Sequence, residues 1–278
     1  MSGNRISVIT INLNNAEGLE RTLQSVAAQS LHCELLVIDG GSTDGSAAVI
    51  SAFSDTITYS VSEKDRGIYE AMNKGIKAAT GDYLLFLNSG DTLYSNEVIE
   101  KAAALLAGAE VVSGDLVIHG KVGRHHVQSE DVITTSLFWR LNLYHQATFI
   151  KATLFQQYGL YNEIFKIAGD MEFFIRCLLR NVSVYKHIPL TICNYYEGGI
   201  SNDPVHSETN FREREQAWQI NFSEPVINDL RALFELKRSP FFWIMRKTVK
   251  RGFFFYFFSF WNMIFLGGLK IIEKFKRK

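Results

Sequence analysis

Five consecutive apolar residues, Tyr83-Leu84-Leu85-Phe86-Leu87, constrain the fold of this chain more than any other stretch. A strand with one wet face alternates polar and apolar residues. An unbroken run needs cover on both faces, as in the centre of a parallel sheet flanked by helices. Ile68, Met72, Ile76 and Ala79 recur at helical spacing just before it. Gly81-Asp82 punctuates the end of that helix. A polar turn, Asn88-Ser89-Gly90-Asp91, follows the run. It stands at the strand's carboxyl end, where open α/β sheets bind their ligands. A lone carboxylate there suits a magnesium-like ion shared with a diphosphate, because such ions often take only one or two protein carboxylates plus phosphate oxygens. Asp91 would equally serve as the cap of a following helix.

The same grammar holds upstream. Ile6–Ile11 reads as a buried strand ending at Asn12-Leu13-Asn14-Asn15, and Leu19, Leu23 and Val26 mark one helix face. Glu34–Ile38 is a second buried strand, with Asp39–Ser46 as its exit loop. A short helix through Val49, Ile50 and Phe53 precedes an alternating third strand, Ile57–Val61. Strands alternating with helices predict an α/β fold with a doubly wound, mainly parallel sheet. Beyond Asp91 the order loosens. A helix over Asn96–Leu106, short strands at Val111-Val112 and Leu116–Ile118, and a polar mobile loop over 119–135 are expected. Ala147–Ile150 reads as a strand. Gly169-Asp170 opens a helix with Phe173, Phe174, Cys177 and Leu178 inward, and residues 182–185 alternate like another strand.

Charge separates the tail from the body. Net charge is zero over 278 residues, yet 237–278 holds eleven Lys and Arg against one acid, Glu273. The body is correspondingly acidic. Phe253–Leu269 has no charged residue and is rich in Phe, so a membrane is a better partner than nucleic acid. Seventeen residues fall short of the roughly 20 that span a bilayer. Basic residues flank both ends, so an interfacial or shallow re-entrant anchor is expected; a core helix or an oligomer contact is the alternative. Cys33, Cys177 and Cys193 are too far apart for a CxxC or zinc pattern and read as reduced core thiols. The first residues lack the apolar stretch of a signal peptide.

The candidate chemistry lies at strand ends and one helix start. Asn12 and Asp39 end adjacent strands, and Asp39 can accept hydrogen bonds from a base or ribose, or simply start a turn. Asp170 at a helix start could take a proton from a hydroxyl nucleophile, or act as an N-cap. Neither GxGxxG, GxxxxGK[ST] nor GxSxG occurs, which disfavours dinucleotide, P-loop and serine-hydrolase readings. His125-His126 reads as exposed and idle, and the seven histidines offer no zinc spacing.

Six segments in order, ISVITINLNN, LLVIDGGSTDGS, DRGIYEAMNKGIKAATGDYLLFLNSGDTL, HQATFI, IAGDMEFFIR and EGGIS, resemble the family 2 glycosyltransferases of GT-A fold. The resemblance runs from residue 5 to about 202. It is strongest to the branch that builds bacterial exopolysaccharide, colanic-acid and O-antigen units. It implies that Asn12, Asp39, Asp65, Gly67, Asn73 and Asn88 form the donor site, that Asp91 is the metal ligand and that Asp170 is the base. It sets His145, Gln146, Gly198, Gly199 and Ser201 on the acceptor or diphosphate side. Asn88 and Gly90 stand where many relatives have carboxylates, so the metal site leans on the donor diphosphate.

The implied layout is a GT-A domain over 1–205, with its donor half to about 95, a helical connector over 206–240, and a membrane-associating tail over 241–278. The implied activity is inverting transfer from a nucleotide-sugar, UDP-linked in preference to GDP-linked. Mg²⁺ or Mn²⁺ would assist, and the acceptor would be a polyprenyl-diphosphate-linked glycan. The implied place is the cytoplasmic face of the plasma membrane, on an anionic surface. A sugar-nucleotide-binding module without turnover and a sugar nucleotidyltransferase are the rival readings.

Overall fold

The computed structural model describes residues 4–239 and 242, except 122, 141, 182 and 200–203. The predicted alternation forms half of a nine-stranded sheet. Strands β1 (Ile6–Asn12), β2 (Glu34–Asp39), β3 (Tyr59–Ser62) and β4 (Tyr83–Phe86) lie in the order β3-β2-β1-β4, all parallel. Helices α1 (Ala16–Ala27), α2 (Ser46–Ala52) and α3 (Ile68–Ala78) join them. Both sheet faces are covered, as the unbroken apolar run Tyr83–Leu87 requires. Val8, Leu35, Val37 and Leu85 cluster with Leu19, Leu23 and Val26 of α1. On the other face α3 comes so close that a Cβ on Gly75 would stand 2.4 Å from Ile9 Cγ2. Burying each of these large side chains stabilises the fold by roughly 1.5–3 kcal/mol. β3 is the open edge and starts at Tyr59 rather than Ile57, whose side chain packs against the core instead.

The second half of the sheet is mixed. It contains β5 (Thr92–Leu93), β6 (Val111–Gly120), β7 (Gly123–Val127), β8 (Thr148–Lys151) and β9 (Tyr185–Tyr196), in the order β4-β8-β6-β9-β5 with β7 on β6. β8 runs antiparallel to both β4 and β6, and β6 runs parallel to β9. Helices α4 (Val98–Leu105), α5 (Thr135–Arg140), α6 (Ala152–Tyr158), α7 (Gly169–Phe174) and α8 (Ser207–Asn221) pack around it. A 3₁₀ turn, His145–Ala147, leads into β8, and α7 continues as a π-turn over Ile175–Arg180.

Two expectations change here. The segment 119–135 is not a loop throughout: β6 continues to Gly120 and turns back as β7, pairing Ile118 with His125. His125 and His126 are exposed on β7, where His126 Nε2 lies 3.1 Å from Thr191 Oγ1. The last strand is β9, twelve residues long, rather than a short strand at 182–185. Pro189 hides it from sequence, because proline rarely sits inside a sheet except at edges and bulges. The register slips between Ser113 and Asp115, opposite residues 187–191. Gly114 is what lets β9 approach there: a Cβ on it would meet Leu190 O and Ile192 at 2.5 Å.

Two compact units are present, residues 1–222 and 223–278. The first includes α8. The second contributes α9 (Glu224–Arg238), which has Pro225 in its first turn and Lys237 and Arg238 in its last, both favourable for a helix. Phe253–Leu269 and the rest of the expected anchor, apart from Phe242, lie outside the described residues. Among the described residues no helix is long and apolar enough to cross a membrane.

Candidate active site

The parallel strands deliver their polar ends to one edge. Asn12 and Asp39 pair in register as the last residues of β1 and β2. Asn12 Nδ2 donates to Asp39 Oδ1 at 2.8 Å. Asp39 also accepts from the backbone and hydroxyl of Ser42 and from the Ser62 hydroxyl. Burial pushes its pKa up, but these hydrogen bonds outweigh burial and hold it below the usual carboxylate range. Asp39 is thus a fixed anion facing the exit loops of three strands.

The Asn88–Asp91 turn is braced from α1. Thr22 Oγ1 accepts from Gly90 N and donates to Asp91 O at 2.7 Å, and Asn15 donates to Ser89 O. Gly90 has φ 108, a backbone region that glycine enters freely. Asp91 is 5% exposed, and its Oδ1 accepts from Tyr196 N at 3.0 Å. Burial pushes its pKa up to about 7, against the lowering effect of the Tyr196 N–H, the nearby His145 and the Gln146 side chain.

Asp170 lies across from this turn, in the first turn of α7. Its Oδ2 accepts from His145 Nδ1 at 3.0 Å and from Asn142 Nδ2 at 3.0 Å. Its Oδ1 accepts from Met171 N at 2.8 Å. Tyr69 Oη lies 3.2 Å from the same oxygen and gives its proton to Ile167 O at 2.6 Å. Consecutive residues therefore stand at the two carboxylates: His145 bonds to Asp170, and the Gln146 side chain acts to lower the pKa of Asp91. Both stand on the turn into β8, beside β4 in the sheet.

A cavity of about 400 Å³ opens over Asp170 and His145, lined also by Asn142, Tyr195, Glu197 and Arg214. Arg214 comes from α8. Burial lowers its pKa, and the negative Asp170 acts against that. Beside it, Glu213 accepts from the backbone N–H groups of Lys166, Ile167 and Ala168 at 2.8, 2.8 and 3.0 Å. One carboxylate thereby fixes the segment that enters α7 and places Asp170.

The remaining sequence candidates divide. Asp65 pairs with Lys74 and Gly67 caps α3 in extended backbone. Asn73 spans to Tyr161 and Glu163, donating to both and accepting from Tyr161 N, so its amide braces α3 against that segment. Gly198 and Gly199 follow Glu197 in the open, with φ 138 at Gly198. Ser201 lies outside the described residues. Sequence reasoning missed Asn142, Tyr69, Glu213 and Arg214. All four act over sequence separations of tens of residues, and only Tyr69 stands in one of the six matching segments.

A polar strand-end edge, a turn with one buried carboxylate and a second carboxylate at a cavity stand on a mixed α/β sheet of the GT-A type. The chain belongs to glycosyl transferase family 2, whose family model matches residues 7–168. A PGL/p-HBAD biosynthesis glycosyltransferase of Mycobacterium bovis is 32% identical over 75% of this chain and 83% of its own length. An uncharacterized glycosyltransferase of Mycobacterium tuberculosis is 34% identical over 85% of this chain and 86% of its own. Among solved structures, residues 1–349 of S. aureus TarS with UDP superpose with a TM-score of 0.65 at 20% identity, covering 84% of this chain and 71% of that one. The mannosyltransferase PcManGT of Pyrobaculum calidifontis, with GDP-Man and Mn²⁺, gives 0.56 at 18% identity, covering 77% and 61%.

Proposed function

We propose that this glycosyltransferase uses a UDP-sugar in preference to a GDP-sugar and transfers the sugar with inversion to an acceptor hydroxyl. The observation that carries the reading is a set of two buried carboxylates, Asp170 bonded to His145 and Asp91 on the turn after β4 bonded to Tyr196 N. Asp170 opens on the cavity, and Asp91 sits at the strand ends near Asn12 and Asp39. The nucleotide lies over Asn12 and Asp39, with Asp39 as acceptor for base or ribose. The loop through Asp65 and Gly67 borders the donor. Asp170 accepts the proton of the attacking hydroxyl, which approaches the anomeric carbon opposite the departing diphosphate. One displacement inverts the anomer, and its acceleration comes from positioning and charge stabilisation.

The turn fits a divalent ion of limited protein ligation. Asn88 Oδ1 is buried without a hydrogen-bond partner, and Asp91, three residues on in the same turn, is a buried carboxyl. Among the described residues no three acidic, His or Cys side chains converge, so diphosphate oxygens would complete the shell. Asn88 and Asp91 would hold Mg²⁺ or Mn²⁺, which would offset charge on the leaving diphosphate.

The acceptor we favour is a polyprenyl-diphosphate-linked glycan of surface polysaccharide synthesis, met at the cytoplasmic face of the plasma membrane. The basic, Phe-rich 241–278 stretch supports this choice. Gly198, Gly199 and Ser201 would border that acceptor. Titrating UDP-, GDP- and dTDP-sugars with and without Mn²⁺ tests the donor, and ¹H NMR of the product's anomeric coupling tests the stereochemistry. UDP-sugar binding and an inverted anomer are expected. A retained anomer, or no affinity for any sugar nucleotide, overturns the reading.

A further inference from the structure

Both ring nitrogens of His145 are committed to protein partners. Nε2 stands 3.2 Å from Asn88 Nδ2 and Nδ1 stands 3.0 Å from Asp170 Oδ2. An amide nitrogen only donates, so Nε2 is the lone-pair nitrogen and the ring proton sits on Nδ1, directed at Asp170. The ring is mostly buried, with its side chain 15% exposed. Its backbone leads into β8, which pairs with β4 through Leu85 and Phe149. Asn88 is two residues beyond β4. The imidazole therefore ties the carboxylate on α7 to the centre of the sheet.

We propose that His145 is a positioning residue for Asp170 rather than a contact to acceptor or diphosphate. It orients the base through Nδ1–H and registers it against the donor-side turn through Asn88. The inference rests on the glycosyl-transfer reading above. Among the described residues a second side-chain donor on Oδ2 is Asn142, which comes from the irregular segment after α5. Of the two, only His145 is backed by a strand. Without it Oδ2 keeps the Asn142 donor while Oδ1 keeps Met171 N, so the carboxylate is held less firmly on the side that faces β8. A misplacement near 1 Å costs turnover about 10²-fold.

Three variants separate this role from others. Asn places its amide nitrogen near the position of Nδ1, and Gln reaches only that of Nε2. His145→Asn should keep turnover within about tenfold of the parent, while His145→Gln and His145→Ala should lose about 10²-fold. UDP-sugar affinity by calorimetry should change far less than turnover in the Gln and Ala variants, since of the donor-site residues only Asn88 loses a contact. Equal loss in the Asn and Ala variants overturns the proposal. So does donor affinity that falls in step with turnover, which would make His145 a donor contact. A second readout needs no activity: long-range ¹⁵N–¹H NMR of the labelled protein should show the Nδ1–H tautomer at His145 and lose it in Asp170→Ala. An Nε2–H tautomer, or one indifferent to Asp170→Ala, overturns the proposal even if the wild-type protein transfers no sugar. The latter failure would fall on the glycosyl-transfer reading alone.

Discussion

Replacing Glu213 with alanine should loosen the entry to α7 without touching the donor pocket. The carboxylate receives three backbone N–H groups, and those of Ile167 and Ala168 are buried. Leaving a buried donor without a partner costs about 1–3 kcal/mol. Two such groups give about 2–6 kcal/mol, and partial water entry into the vacated space favours the lower half, about 3 kcal/mol. At about 2–4 °C per kcal/mol for a domain of this size, melting should fall by about 6–12 °C. Glu213→Gln keeps one acceptor oxygen and should lose about half as much. Asp170 follows this segment directly, so turnover should drop while the KM for donor holds. Calorimetric melting and steady-state kinetics on both variants check this. A Glu213→Ala protein melting within 2 °C of the parent at full turnover, with ~2 °C taken as less than 1 kcal/mol, would refute the reasoning.

Gly75→Ala should destabilise by about 1–3 kcal/mol despite alanine's better helix propensity, because the added methyl meets Ile9 Cγ2; urea unfolding reads it. His187 bridges Asp115 and Asp131, and its pKa is raised: burial lowers it, but the bonds to Asp115 and Asp131 outweigh burial. Its stabilisation should be complete below the unfolded-state value near 6.5 and fade as pH rises through the folded value, a slope in the urea midpoint that His187→Gln should flatten. A chelator should abolish transfer, and Asp91→Ala should weaken donor binding only when metal is present; full activity in chelator would remove the metal from the account.

The donor half was readable because its physics is local. The unbroken apolar run Tyr83–Leu87 and the mostly apolar strands Ile6–Ile11 and Leu35–Ile38 demand two covered faces, and their exit residues Asn12, Asp39 and Asn88–Asp91 follow at once. The acceptor half was less so. β9 carries Pro189 and a register slip, and β7 is an exposed hairpin arm whose Arg124, His125 and His126 resemble loop residues. Asp170 could be picked as a helix-start acid, but nothing around it shows that His145, Asn142 and Tyr69 surround it. Those contacts exist only once β8 is inserted antiparallel beside β4. Glu213 is the extreme case: a helical glutamate in a polar stretch, buried by a partner segment some 45 residues away.

The central claim is that Asp170 takes the acceptor's proton, and Asp170→Asn tests it most directly. The amide keeps the size and leaves the donor pocket intact. Single-turnover transfer from a UDP-sugar should fall roughly 10²–10⁴-fold, with donor affinity unchanged in a parallel titration. Transfer at the parental rate in that variant would contradict the account.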